Sequence, residues 1–168
     1  MKRQVNVQRI ALCGLLTALM LILGYVEQMI PLNAAIPGIK LGLSNGVLIF
    51  ALYMLDTPTA FLLMGLKVLL SSALFAGFGA APYALCGGIL SVSVMAALRH
   101  TKGISTVTVS MLGGAAHNAA QVALAMLITK TPGLAGYMGL LMLLGLGCGG
   151  LTGVSAALVM KHLRHIRR

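Results

Sequence analysis

Acid is nearly absent from this chain. Among 168 residues, Glu27 and Asp56 are the only carboxylate side chains, against twelve lysines and arginines. Two isolated acids cannot gather the hard oxygen ligands that hold Mg²⁺ on a diphosphate. With the lone aspartate beside a helix end, no Ser-His-Asp relay is expected either. A glycine-rich phosphate loop ending in Lys-Ser or Lys-Thr is missing, and so is a His-Glu-x-x-His zinc helix. The chain is therefore not expected to hydrolyse ATP or to use zinc. Cys13, Cys86 and Cys148 stand in separate apolar runs without metal-ligand spacing and read as small buried hydrophobes. Together these absences leave no catalytic residue, metal ligand or cofactor to expect, and catalysis by this chain alone is not anticipated.

Charge of both signs is scarce. Only 8% of the residues are charged, where a soluble domain carries about a quarter. Hydrophobic residues make up 59% and the mean hydropathy is +1.00. The chain reads as a single all-α integral membrane domain over residues 1–168. A net charge of +10 would suit nucleic acid, but its placement argues against that partner. Lys2, Arg3 and Arg9 precede the first apolar run, Arg99 and Lys102 sit in a mid-chain break, and Lys161, Arg164, Arg167 and Arg168 close the chain. Basic residues flanking apolar segments set membrane orientation, and a basic tail also suits anionic lipid headgroups.

A bilayer core takes about 20 apolar residues per helix. Six segments approach that length, near 10–30, 41–55, 58–77, 83–98, 107–129 and 135–160. The breakers between them are Pro31 with Pro37 and Gly38, then Asp56–Pro58, Gly77–Pro82, His100–Gly103, and Pro132 with Gly133. The first run is too long for a signal peptide and lacks a small-residue exit, so it reads as a retained helix. Six crossings bring both termini to one face, and the basic residues make that face cytoplasmic in the cell membrane. The second and fourth segments are short for a ~30 Å core at 1.5 Å per residue. Helices that stop short at membrane depth imply a cavity or buried loop, here near the outer face.

Polar residues inside the apolar runs are the functional candidates, because ionisable groups at membrane depth are costly. Lys67 lies ten residues into the third segment, with Ser71 one turn later. It admits three readings: it snorkels to an interface, it pairs with Glu27, or it holds an anionic substrate. In the fifth segment Ser110, Gly114, His117 and Gln121 step by four, three and four, with Asn118 alongside. That stripe must face the bundle, either as an interhelical hydrogen-bond network or as a ligand wall. The stretch "IPGIKLGLSN" at 36–45 leads into the short second segment and carries Lys40, Ser44 and Asn45. Because helix N-termini attract anions, it reads as part of a binding loop. In the last segment Gly145, Gly149, Gly153 and Ala157 recur every four residues, a ridge that lets another helix approach closely.

Four stretches, "IPLNAAIPGIKLGLSNGVLIFALYML", "GLKVLLSSALFAG", "GGILSVSVMA" and "GGAAHNAAQ", resemble the Gx transporter family, whose members are often labelled heptaprenyl diphosphate synthase component I. The likeness runs through most of residues 10–160. That family is similar to the substrate-binding S components of energy-coupling factor transporters. The resemblance implies a six-transmembrane-helix bundle that captures a small vitamin-like or cofactor-precursor molecule from outside. It further implies docking on a coupling transmembrane protein and two ATPases through small residues of the first helix, here Gly14 and Ala18 with Ala11 a turn earlier. Lys67, His117, Asn118 and Gln121 would line the pocket, Lys40, Ser44 and Asn45 its outer wall, and Glu27 would orient a lysine. The synthase label conflicts with the scarcity of acids. It leaves two other roles open: a non-catalytic membrane accessory of polyprenyl diphosphate or quinone synthesis, and a structural subunit of a membrane redox complex.

Overall fold

The computed structural model describes residues 7–29 and 42–166, with side chains described as far as Leu163. These residues form six helices: α1 (Val7–Met29), α2 (Asn45–Met54), α3 (Thr57–Ser71), α4 (Ala81–Leu98), α5 (Thr106–Thr129) and α6 (Ala135–Ile166). No strand occurs among the described residues. The chain is an all-α membrane bundle. The helix ends follow local chemistry. Asp56 caps α3 by accepting the Thr59 N–H at 2.8 Å, with Pro58 in the first turn. Ser105 caps α5 by accepting the Thr108 N–H at 3.1 Å. Lys130, in the left-handed region at φ 52°, closes α5.

Two lengths differ from those expected of the sequence. α2 begins at Asn45 rather than 41 and has 10 residues, about 15 Å of helix, half of a ~30 Å core. The fourth segment is not short: a 3-10 turn at Phe78–Ala80 carries its path outward, so that Phe78–Leu98 spans 21 residues. Among the described residues, five helices are long and apolar enough to cross a membrane, and α2 is a shorter apolar one. The third segment ends in a π turn, Ser72–Ala76, closed by Gly77 at φ 76°.

Burial is inverted relative to a water-soluble protein. Leu15, Leu74, Leu127 and Leu151 are exposed, while Lys67, Asn118 and Gln121 are buried. The cysteines are half-buried rather than enclosed. Among the long helices α5 is the most enclosed and α6 the least. The two are joined backbone to backbone. A Cβ added to Gly114 would lie 2.2 Å from the Gly145 carbonyl oxygen, and one on Gly149 would lie 2.5 Å from that of Ser110. The ridge leaves its four-residue step at its end: Gly153, Ala156 and Met160 are buried, whereas Ala157 is half-exposed. A step of four drifts around a helix of 3.6 residues per turn, so the contact face moves back to Ala156.

Side-chain clasps sort the helix ends. Arg9 pairs with Asp56 and donates to Thr59 Oγ1 at 2.6 Å. Arg99 Nη1 donates to the Leu52 carbonyl at 2.7 Å, at the C-terminal end of α2 where a cation is favoured. The start of α1, the α2–α3 break and the α4–α5 break therefore share one end of the bundle. At the other end Gln28 Nε2 donates to the Phe75 carbonyl at 3.1 Å, and the Tyr25 and Phe75 rings meet edge to face with centroids 5.5 Å apart.

Two outcomes are expected of the fold. Gly114→Ala or Gly149→Ala should each cost about 1–3 kcal/mol, as overpacking does, while Gly139→Ala, where a Cβ meets nothing within 4 Å, should be tolerated. Thermal unfolding in detergent measures the difference. The Thr59 hydroxyl and N–H, then Arg9, hold the Asp56 carboxyl below its ordinary 3.8. A lowered folded value stabilises above the unfolded value and fades as pH falls through the folded one. Asp56→Ala should thus cost about 1 kcal/mol near pH 7, the usual worth of an N-cap, with the deficit shrinking below about pH 4. Unfolding curves of both proteins across that range check it.

Candidate functional site

The bundle buries polar side chains as well as apolar ones. α2 itself is packed with apolar residues, among them Val47, Leu48, Ile49 and Leu52, which belong to the main core. At its N-terminal end the character changes. Ser44, Asn45, Glu27, Lys67, His117, Asn118 and Gln121 are all buried, each 5% exposed or less. They come from α1, the approach to α2, α3 and α5.

Glu27, two residues from the end of α1, accepts the Gly42 N–H in a buried hydrogen bond. Gly42 is at φ 82°, a conformation that favours glycine. From Asn45 onward the N–H groups are matched by the chain itself: Asn45 N–H with the Gly42 carbonyl at 2.9 Å, Gly46 with Leu43 at 3.3 Å, and Val47 with Ser44 at 3.1 Å. The anion drawn to this helix start is thus the protein's own carboxylate, and Ser44 and Asn45 contribute side chains rather than a bare helix terminus. Ser44 makes no capping bond with its hydroxyl.

Around this point the approach to α2 meets α5 and α4. A Cβ on Gly42 would stand 2.7 Å from Asn45 Nδ2 and 3.5 Å from His117 Cδ2. The opposite edge of the imidazole faces α4, where a Cβ on Gly87 would be 2.9 Å from both Cε1 and Nδ1, and 3.0 Å from Gln121 Cγ. Asn118 turns to α6 and donates to the Leu141 carbonyl at 2.6 Å. Lys67 crosses to α1, where a Gly24 Cβ would stand 3.6 Å from its Cε and 3.8 Å from Phe75 Cζ. Gly24 and Glu27 lie three residues apart, on one face of α1. Both charged groups, His117 and Gln121 are engaged by interactions within the fold. Asn45 Nδ2 and Asn118 Oδ1 have no hydrogen-bond partner among the described residues.

Sequence reading named the polar members of this group. It missed Gly24 and Gly87, two of the glycines that let them meet, and it missed Ser91, a fully buried hydroxyl on α4. The Gly87-Gly88 doublet inside an apolar run was the available signal. Lys40 lies outside the described residues. Ala11, Gly14 and Ala18 are brought together elsewhere, along an exposed face of α1 where a Cβ on Gly14 would meet nothing within 4 Å.

A family model described as heptaprenyl diphosphate synthase component I matches residues 16–159. The chain belongs to that family. No curated protein and no solved structure matches it. The family is described as a synthase component, and a diphosphate substrate would bring Mg²⁺ with it. The two acids do not fit that ion. Arg9 on α1 holds Asp56 at one end of the helix, and Glu27 is eighteen residues further along it, about 27 Å at 1.5 Å per residue. Among the described residues, no group of three or more His, Cys, Asp or Glu is placed to hold a metal.

The clasp between α1 and α2 has a measurable consequence. Glu27→Ala leaves a buried Gly42 N–H without its acceptor, which should cost about 1–3 kcal/mol. Glu27→Gln retains an acceptor oxygen and should lose less. Thermal unfolding of the two variants beside the parent protein orders them.

Proposed function

We propose that this multi-pass membrane protein is a substrate-binding subunit, similar in role to an S component of an energy-coupling factor importer, for a small molecule bearing an anionic group. One observation carries the reading: a lysine, a histidine and three amides are buried inside the apolar bundle, with His117 and Asn45 meeting at Gly42 where α2 begins. Ionisable and amide groups at membrane depth are retained chiefly where they meet a solute or each other. Lys67 supplies the cation for the anionic group. Asn45, His117, Asn118 and Gln121 supply orientation, Ser44 and Lys40 form the outer wall, and Glu27 holds the approach to α2 in place. The exposed small-residue face of α1, Ala11, Gly14 and Ala18, suits close docking on a coupling transmembrane protein that works with ATPase subunits. In this reading the protein is not an enzyme. It sits in the cell membrane with both termini cytoplasmic, so the polar centre opens toward the outer face.

The family description favours a second reading, a non-catalytic membrane accessory of polyprenyl diphosphate synthesis. The two are separable. Native mass spectrometry of protein extracted in mild detergent from its own host should show a bound small molecule, and Lys67→Met should lose it while unfolding at a similar temperature. A ligand retained unchanged in Lys67→Met would overturn the assignment of Lys67. No bound molecule, together with co-purification of a soluble aspartate-rich synthase, would favour the accessory.

A further inference from the structure

The imidazole of His117 sits in a slot between two glycines. Its Cε1 and Nδ1 edge faces Gly87 on α4 and its Cδ2 faces Gly42 on the approach to α2. In an imidazole ring Nε2 lies between Cε1 and Cδ2. The slot therefore presents Nε2 to the gap between α4 and the approach to α2, beside Asn45, whose Nδ2 is 2.7 Å from where a Gly42 Cβ would be. The ring has little freedom to turn. His117 is 3% exposed, and Gln121, one helical turn along α5, is fully buried with its Cγ against the same Gly87. A methyl group at position 87 would fall 2.9 Å from the ring, closer than a carbon contact allows.

We infer that Gly87 is a positioning residue: its missing side chain sets the tilt of His117, and through it what the polar centre accepts. This rests on the substrate-binding reading only for its last step. The tilt of the ring is a property of the protein alone. The neighbouring Gly88 provides the comparison. It shares the helix and the local backbone, but a Cβ there would crowd Met64, 2.7 Å from its Cγ and Sδ. A thioether chain adapts readily to such crowding. Gly→Ala also raises helix propensity equally at both positions, so the two variants differ in which side chain they displace.

The test uses the full-length protein in detergent micelles. Labelled histidine gives four side-chain signals to assign, His100, His117, His162 and His165. Gly87→Ala should shift the His117 ring resonances and reduce the co-purified small molecule by roughly tenfold, the change made by about 1.4 kcal/mol of binding. Gly88→Ala should leave both as in the parent protein. Unmoved His117 resonances in Gly87→Ala would overturn the inference. So would a shifted ring with undiminished ligand, since the tilt would then not govern acceptance. If Gly87→Ala does not fold, Gly87→Ala/His117→Ala should restore folding, because the ring is gone and the flexible Gln121 chain, the other group a methyl would meet, can then swing into its place; failure to restore it would place the controlling clash elsewhere and sink the proposal. A parent protein that carries no ligand would defeat the substrate-binding reading but leave the resonance comparison intact.

Discussion

Ten residues of helix cannot cross a bilayer, and the depth at which α2 stops organises the rest of the bundle. A helix that ends inside a membrane leaves N–H groups where no water can reach them. Here the answer is twofold. The first turn is tightened onto the preceding carbonyls, and the Gly42 N–H is taken by Glu27 from α1. That bond joins the first helix to the second at the level where the polar side chains of α5 are exposed to them. Without a fixed start for α2, Asn45 would have no defined relation to His117, and the apolar residues that follow would have no register in the core.

The bundle divides accordingly into two halves of different chemistry. Toward the end clasped by Arg9 and Arg99, α2 fills the centre with aliphatic side chains. Toward the other end buried polar groups join the helices, among them Glu27 on the Gly42 N–H and His117 between Gly42 and Gly87. Close approach between helices is achieved by removing side chains rather than interlocking them: Gly114 against Gly145, Gly149 against Ser110, Gly87 against His117. In lipid, where burying apolar surface drives little association between helices, such backbone proximity and the polar contacts it permits supply much of the cohesion.

Much of this was legible from the residues. Long apolar runs punctuated by Asp56, Pro58, Gly103 and Pro132 located the helices, because each of those residues has a defined effect on a helix terminus. The stripe Ser110, Gly114, His117, Gln121 pointed to an inward face, and all four are buried. What was not legible depends on three dimensions. The start of α2 moved from 41 to 45 because Gly42 adopts a left-handed conformation that no periodicity encodes. The 3-10 turn at Phe78–Ala80 lengthened a segment that its proline seemed to truncate. The role of Gly87 is visible only once the imidazole of another helix is placed against it.

One consequence lies in the length of α6. At 32 residues it is about 48 Å long, against a hydrocarbon thickness of about 30 Å. The excess is met by leaning over or by projecting into the aqueous phase, where exposed Lys161 already belongs. α6 cannot lean alone, because its glycines are seated on the backbone of α5. A thinner bilayer that makes α6 lean further would carry α5 with it, and with α5 go His117 and Gln121. α1 is fastened instead to α3 and to the approach to α2. Hydrophobic mismatch at α6 would thus act on α5 and α6 as one unit.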